Sequence, residues 1–202
     1  WRKHTVAAVE AHPGQKILDV AAGTGTSSEP FADAGVDVIA ADLSEGMLEV
    51  GRKRRPDMTF VQADVTNLPF SDSTFDAVTM SYGLRNVQDT ARALSEMRRV
   101  TVPGGRIVIA EFSTPAWPAF RHLYRFYLGS ALPAAARLVS SNTAAYDYLG
   151  ESILAWPDQR ELAGLMHEAG WRGVGYKNLS GGIVAVHRAT RPDHAARTAI
   201  ER

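Results

Sequence analysis

Short apolar runs alternate with helical patterns along the first half of the chain. Runs rich in Val, Ile, Ala and Phe predict strands at residues 16–20, 36–41, 58–62, 75–80 and 106–111. Helical spacing of apolar positions predicts helices at residues 1–11, 27–34, 44–54 and 90–100. Ser44 is placed to cap the third helix, and Pro103-Gly104-Gly105 is expected to end the fourth. The alternation is typical of a mostly parallel sheet with helices on both faces.

The pattern changes in the second half of the chain. Residues 115–155 predict a helical, irregular insertion, followed by a helix at 158–169 and strands at 172–178 and 182–188. Ser180-Gly181-Gly182 is short enough to join the last two strands as a hairpin, so we expect an antiparallel last strand. We predict one α/β domain over residues 1–190, with residues 191–202 as a mobile tail.

Composition narrows the function classes. The 22 Lys and Arg balance the 22 Asp and Glu, so nucleic acid is not expected as a partner. The absence of cysteine excludes thiolate chemistry and fits a cytoplasmic protein. The six histidines lack paired ligand spacing, and no metal site is expected. No signal peptide or membrane-spanning run is visible. Because a helical pattern is already in progress at Trp1, we expect that upstream residues are missing from this sequence.

The stretch LDVAAGTGTSS, residues 18–28, predicts a strand, a glycine turn and the start of a helix. Gly23 and Gly25 permit a tight turn that a ligand can approach closely. A dinucleotide site usually has a third glycine where this chain has Ser28. The loop alone leaves two cofactors open, a nicotinamide or flavin dinucleotide and S-adenosylmethionine. Asp19 is expected to brace the backbone amides of the turn rather than to touch the ligand.

Polar residues close the predicted strands at the same edge of the sheet. Asp42 can accept hydrogen bonds from both ribose hydroxyls of an adenosyl group, and the alternative is that it caps the next helix. Asp64 can accept from an adenine amino group while Val65 packs on the ring, and the alternative is a turn residue. Ser81 ends the fourth strand, where doubly wound sheets contact their ligands.

Two longer stretches, LPFSDSTFD (68–76) and VTVPGGRIVI (100–109), together with Asp42 resemble the class I S-adenosylmethionine-dependent methyltransferases. The resemblance implies their Rossmann-like α/β fold. SYGLRNVQD (81–89), SSNTAAYDYLGESILAWPDQ (140–159) and NLSGGIVAVH (178–187) are similar to the menaquinone/ubiquinone biosynthesis C-methyltransferase family, particularly its demethylmenaquinone branch. This similarity runs from Trp1 to about His187.

The family resemblance implies the reaction and its cofactor. S-adenosylmethionine would methylate a ring carbon of a demethylated quinol, leaving S-adenosylhomocysteine. The acceptor is expected to be demethylmenaquinol, with a ubiquinone-precursor quinol or another small phenol as the alternative. An oxidoreductase and a non-catalytic cofactor-binding module are the rival classes. The family's cofactor residues fall on Thr24, Asp42, Asp64, Val65 and Ser81, beside Gly23 and Gly25.

The catalytic candidates follow the fourth strand or lie in the insertion. Arg85 is expected to stabilise a phenolate directly or through a water, and Asn86 lies beside it. Tyr146 is expected to contact the acceptor ring, as are Tyr82 and Tyr148. His187, at the end of a predicted strand, is expected to be a buried structural residue.

The insertion also carries an amphipathic segment, residues 117–139, in which aromatic side chains recur at helical spacing with basic residues between them. The favoured interpretation is a core helix that covers the sheet, and the alternative is a helix on a bilayer surface. The expected partner is a lipid quinol. Peripheral association with the inner face of the cell membrane and a homodimer are further hypotheses.

Overall fold

The computed structural model describes residues 1–132 and 143–193. Seven strands form one sheet: β1 Lys16–Val20, β2 Asp37–Asp42, β3 Thr59–Gln62, β4 Phe75–Ser81, β5 Thr101–Phe112, β6 Arg172–Leu179 and β7 Val184–Thr190. The helices are α1 Arg2–Val9, α2 Glu29–Asp33, α3 Glu45–Arg54, α4 Thr90–Val100, α5 Pro118–Phe126, α6 Thr143–Ala155 and α7 Gln159–Glu168. A π-helical turn, Tyr127–Ala131, follows α5, and short 3₁₀ turns span Leu84–Asn86 and Ser180–Gly182. Among the described residues, no helix is long and apolar enough to cross a membrane.

The sheet has the order β3-β2-β1-β4-β5-β7-β6. Strands β1 to β5 pair in parallel, and β7 is antiparallel to both β5 and β6. The predicted α/β class and the antiparallel last strand are therefore confirmed, although β7 lies between β5 and β6 and not at the sheet edge. The chain changes direction across the sheet between β1 and β4. In open α/β sheets, ligands bind at the carboxyl ends of the strands at such a switch point.

Both faces of the sheet are covered. Because successive side chains of a strand point to opposite faces, Ile17 of β1 packs in the cluster of Phe31 and Leu48. Leu18 packs on the other face in the cluster of Met97. Complete burial of such a side chain contributes roughly 1.5–3 kcal/mol. This two-sided burial explains why the central strands read as continuous apolar runs.

Helix α4 ends at Val100, as predicted, but residues 103–105 are not the loop that ends it. Strand β5 begins at Thr101, directly after α4, and residues 103–105 form an irregularity at which its pairing shifts from Phe75↔Thr101 to Ala77↔Arg106. Gly105 is required there, because a Cβ would lie 2.8 Å from the Asp76 carbonyl oxygen. The glycine and proline that suggested a loop instead bend a strand whose pairing with β4 continues on both sides.

The amphipathic segment is only partly a core helix. Tyr124 and Leu128 are buried in a small cluster with Ile153 of α6, against Phe112 at the end of β5. The outer positions, including Trp117 and Phe126, are exposed. The predicted role in covering the sheet is therefore wrong for that face. The rest of the segment, 133–139, the start of the 140–159 motif and the predicted tail from 194 onward lie outside the described residues.

Candidate active site

A cavity of about 900 Å³ lies at the carboxyl ends of β1, β2 and β4. Gly23 follows β1, Asp42 ends β2, Asp64 and Val65 follow β3, and Tyr82 follows β4; all of them line it. The volume falls within the roughly 300–1,000 Å³ typical of small-molecule and cofactor sites. The cavity occupies the switch point of the sheet, where the topology predicts a ligand.

The glycine turn forms the floor of this cavity. Gly23 and Gly25 have φ of 58° and 78°, a region that favours glycine. Gly25 does not line the cavity, and a Cβ there would lie 2.7 Å from the Phe60 ring. Thr24 does not line the cavity either. Its hydroxyl lies 3.2 Å from that of Thr26, and its carbonyl accepts from Arg54. Of the three predicted loop contacts, Gly23 alone is among the cavity walls.

Asp19 supports the turn from below. Its Oδ2 accepts hydrogen bonds from the Ser27 and Ser28 hydroxyls at 2.7 and 2.6 Å. The expectation that Asp19 braces backbone amides is therefore wrong in its partners, although the bracing role is observed. Burial raises the pKa of Asp19 to about 6, against the opposing effect of the two hydroxyls. Ser28, at the third-glycine position of a dinucleotide loop, is buried and donates its hydroxyl to one oxygen of this carboxylate, while Asp19 Oδ1 is buried with no partner among the described residues.

Asp42 joins the glycine turn to the start of α3, as its capping alternative suggested, and its contact with a ribose stays a prediction. Its Oδ2 accepts from the Gly23 amide at 2.7 Å, and its Oδ1 accepts from the Ser44 amide at 2.8 Å, beside the start of α3. A carboxylate offers about four acceptor positions. Two of them therefore remain for a ligand in the cavity that Asp42 lines. The carboxylate links the glycine turn, the start of α3 and the cavity.

Asp64 and Val65 form the wall beyond β3. The Oδ1 atom of Asp64 accepts from the Thr66 amide and hydroxyl, both at 2.8 Å. These hydrogen bonds lower the pKa of Asp64, so the group is ionised at neutral pH. Its Oδ2 accepts no hydrogen bond from the described residues and is free to accept one from a ligand. Val65 adds an apolar surface beside it.

The end of β4 carries a strained residue. Tyr82 has φ of 58°, a conformation that costs a non-glycine residue of the order of 1–3 kcal/mol. Burial and the nearby Glu111 carboxylate raise its pKa to about 12. Gly83 packs closely against the loop that follows β1, and a Cβ on Gly83 would lie 2.4 Å from the Cβ of Ala21. Ser81, predicted to bind the cofactor, is half-buried and does not line the cavity.

Arg85 lies beneath this turn in a buried ion pair. Its Nη1 donates to Glu111 Oε1 at 2.9 Å and to the Tyr82 carbonyl at 2.6 Å. Its guanidinium also lies 5.1 Å from the centre of the Phe112 ring. Burial raises the pKa of Glu111, and Arg85 opposes that shift. The side chain predicted to stabilise the phenolate is thus outside the cavity wall and holds the backbone of Tyr82.

Asn86 lines the cavity, unlike its neighbour Arg85. The Tyr148 hydroxyl of α6 donates to Asn86 Oδ1 at 3.0 Å. This contact brings the insertion to the cavity rim. Tyr146, the other predicted catalytic residue, is exposed on α6 and is not part of the cavity wall. The structure therefore brings Asn86 and Tyr148 together, and does not place Tyr146 with them.

Some residues at this end of the sheet were not predicted from the sequence. Leu43 and Met47 add apolar walls to the cavity, and an apolar residue directly after Asp42 was a signal for the first of them. Glu111, one residue before the end of β5, lies at the same edge of the sheet as Asp42, so an acid near the end of an apolar run was a signal for it as well. His187 is buried, as expected, with Nε2 2.9 Å from the Gln159 carbonyl oxygen. Burial lowers the pKa of His187.

The strand order, the glycine turn and the carboxylate after β2 define a class I S-adenosylmethionine-dependent methyltransferase. The chain belongs to the ubiE/COQ5 methyltransferase family, which it matches over residues 1–191. The dinucleotide alternative for the glycine loop is thereby excluded, and the predicted cofactor, S-adenosylmethionine, is confirmed.

Curated relatives match nearly the whole chain. A demethylmenaquinone methyltransferase of Paenarthrobacter aurescens is 63% identical over 193 residues, which cover 96% of this chain and 76% of the relative. A demethylmenaquinone methyltransferase of Beutenbergia cavernae is 61% identical over 191 residues, which cover 95% of this chain and 80% of the relative.

Solved structures share the fold at low sequence identity. Phosphoethanolamine N-methyltransferase 2 of Haemonchus contortus, in complex with S-adenosyl-L-methionine, matches with a TM-score of 0.71 at 14% identity, over 95% of this chain and 53% of that one. A SAM-dependent methyltransferase of Aquifex aeolicus matches with a TM-score of 0.68 at 15% identity, over 94% of this chain and 89% of that one. At these identities the similarity supports the fold alone.

Proposed function

We propose that this protein transfers a methyl group from S-adenosylmethionine to a ring carbon of demethylmenaquinol, which yields menaquinol. The observation that carries the proposal is the identity of 63% and 61%, over nearly the whole chain, to relatives named for this activity. The cavity supports it, because polar acceptors at its base adjoin apolar and aromatic walls such as Val65 and Tyr82.

The residues at the base of the cavity fit the methyl donor. Asp42 has acceptor positions left for two ribose hydroxyls, and Asp64 Oδ2 can accept from the adenine amino group. Leu43, Met47 and Val65 supply the apolar surface that an adenine ring needs. When bound, S-adenosylmethionine supplies a methyl group on a sulfonium, which is already a good electrophile.

The acceptor carbon must be made nucleophilic. Ionisation of a quinol hydroxyl, which releases its proton to solvent, raises the electron density on the adjacent ring carbon. That carbon would form the new bond to the methyl group as the methyl–sulfur bond breaks and S-adenosylhomocysteine leaves. The ring carbon would then lose its own proton to solvent, and the oxygen would take a proton back, so that one proton is released overall. A phenol-like hydroxyl has a pKa near 10, so the phenolate must be stabilised. Tyr82 is unsuited to act as the base at neutral pH, because its own pKa is about 12.

Asn86 is the donor that we propose for the phenolate oxygen. Its Oδ1 accepts from Tyr148, which orients the amide of a side chain that lines the cavity. Nδ2 has no acceptor among the residues that the structure describes, so its two N–H groups can serve a ligand. A preorganised donor of this kind typically contributes about 10²–10³ in kcat. Arg85 acts indirectly, because it donates to the backbone carbonyl of Tyr82, a residue that lines the cavity.

Anaerobic turnover with labelled S-adenosylmethionine tests the proposal. The acceptors are a demethylated naphthoquinol, the same compound as the quinone, and a benzoquinol, with each product identified by mass. We expect methylation of the naphthoquinol and none of the quinone, since a quinone carbon is electron-poor. Equal rates on both redox forms would refute the phenolate mechanism. A strong preference for the benzoquinol would assign the enzyme to a ubiquinone precursor instead.

A further inference from the structure

Arg92, in the first turn of α4, lies in the cavity wall beside Thr66. Its Nε donates to the Thr66 carbonyl at 3.0 Å, while its backbone amide donates to the Asp89 carboxylate at 2.9 Å. The Arg92 side chain is 56% exposed. A side chain this exposed contributes little to the core, so its contact with the cavity wall indicates a role in the site.

Thr66 is the residue that orients Asp64. The amide and the hydroxyl of Thr66 both donate to Asp64 Oδ1, each at 2.8 Å. The amide of Asn67 donates to the Asp64 carbonyl at 3.0 Å and closes a tight turn over residues 64–67. Because Thr66 holds Oδ1, Oδ2 is the oxygen of this carboxylate that remains for a ligand.

The base of this turn is fixed without Arg92. The next residue, Leu68, is buried in the core, and its amide donates to Glu96 Oε2 at 3.0 Å. Thr66, at the tip, has one hydrogen-bond partner outside the turn among the described residues, which is the Nε of Arg92. The position of Thr66 against α4, and with it the direction of the Asp64 carboxylate, therefore depends on Arg92.

We propose that Arg92 is a positioning residue for the recognition of the adenine ring of S-adenosylmethionine. Arg92 holds Thr66, Thr66 directs the Asp64 carboxylate, and that carboxylate accepts from the 6-amino group of adenine. This role rests on the contact between Asp64 and adenine in the proposed function. The alternative is a direct contact between the Arg92 guanidinium and the cofactor, because Nη1 of Arg92 has no partner among the residues that the structure describes.

Calorimetric titration with S-adenosylhomocysteine tests the positioning role without any methyl acceptor. Arg92→Ala should weaken binding about three- to tenfold, the effect of losing one well-oriented hydrogen bond. Arg92→Lys keeps a donor for the Thr66 carbonyl and should lose less. Arg160→Ala removes an exposed arginine from the first turn of α7, outside the cavity wall, and is the matched control. It should bind like the wild type, and the circular dichroism spectrum of each variant is the folding control.

Two comparisons separate a positioning role from a direct contact. The first uses the purine analogue of S-adenosylhomocysteine that has hydrogen in place of the 6-amino group. The wild type and Arg92→Ala should bind this analogue equally, because the group that Asp64 recognises is absent. The second is a double-variant cycle, in which Arg92→Ala should cause no further loss in an Asp64→Ala background. An undiminished loss with the analogue, or additive losses in the cycle, would overturn the proposal in favour of the direct contact.

Wild-type affinity of Arg92→Ala for S-adenosylhomocysteine would overturn the proposal as well, and a loss in Asp64→Ala would then leave the adenine contact standing. Wild-type affinity of Asp64→Ala would refute that contact and the role of Arg92 with it. These outcomes do not depend on the methylation reaction. A protein that shows the expected pattern of binding and methylates no quinol would count against the proposed function and not against the role of Arg92.

Discussion

The guanidinium of Arg85 lies 2.9 Å from the carboxylate of Glu111, and both side chains are buried. The same guanidinium holds the carbonyl of Tyr82, whose backbone is in the left-handed region. Glu111 also accepts from the backbone amides of Arg85 and Phe112. The pair therefore fastens the turn after β4 to the end of β5, and the position of Tyr82 depends on it.

Glu111→Ala should lower the free energy of unfolding by about 3–5 kcal/mol, because it leaves a buried guanidinium without its counter-charge. The double variant Arg85→Met/Glu111→Leu removes both charges and should lose much less. Equilibrium urea unfolding of the wild type, the single variant and the double variant measures this. A double variant as unstable as the single one would show that hydrogen bonding to the backbone, and not the ion pair, stabilises the turn.

Asn86→Ala should lower kcat by about 10²–10³ with little change in affinity for S-adenosylhomocysteine, since the proposed donor acts on charge that develops in the acceptor. Tyr148→Phe removes the hydroxyl that orients the amide and should cause a smaller loss in kcat. Anaerobic initial rates and calorimetry give the two quantities. Full turnover by Asn86→Ala would remove Asn86 from the mechanism.

Asp42→Ala should weaken binding of S-adenosylhomocysteine by about 1.5–3 kcal/mol, the range for hydrogen bonds to a charged group. Asp42→Asn keeps an acceptor oxygen and should lose less. Calorimetric titration is the measurement, and the circular dichroism spectrum of each variant serves as the folding control. An affinity equal to that of the wild type would leave Asp42 with its contacts to Gly23 and Ser44 alone.

Asp19 should make stability fall as pH rises from about 4 to about 6. Its pKa is about 6 in the folded protein and near 3.8 when unfolded, so the folded state binds more protons in that window. Relative to Asp19→Asn, which keeps an acceptor for the two serine hydroxyls, the wild type should lose up to about 3 kcal/mol across it. Urea unfolding at several pH values tests this, and a pH-independent difference between the two proteins would contradict it.

His187 should have the opposite effect on stability. Burial lowers its pKa in the folded protein, so below the unfolded value near 6.5 the unfolded state binds more protons. Stability should therefore fall as pH drops below about 6.5, and His187→Gln should not show this contribution. Thermal unfolding of both proteins over that range is the measurement. Parallel curves would mean that the buried imidazole does not titrate differently on folding.

The sequence predicted the sheet well because each central strand is buried on both faces and reads as an apolar run. It also located Asp42 and Asp64, since acids that end such runs must lie at one edge of a parallel sheet. It could not predict that Gly25 packs on Phe60, or that Arg85 points under the turn to Glu111, because both depend on contacts between distant segments. The irregularity in β5 could not be predicted either, because proline and glycine locally favour a loop. Pairing with β4 overrides that local preference.

The reversed direction of β7 has a practical consequence. Arg191, just beyond it, exchanges backbone hydrogen bonds with Gly104 and Gly105, at the edge of the sheet opposite the cavity. Asp193 follows and is exposed. Because the chain has no cysteine, Asp193→Cys would create a unique thiol there. A fluorophore coupled to it would report rotational diffusion of the protein from the side of the sheet remote from the cavity.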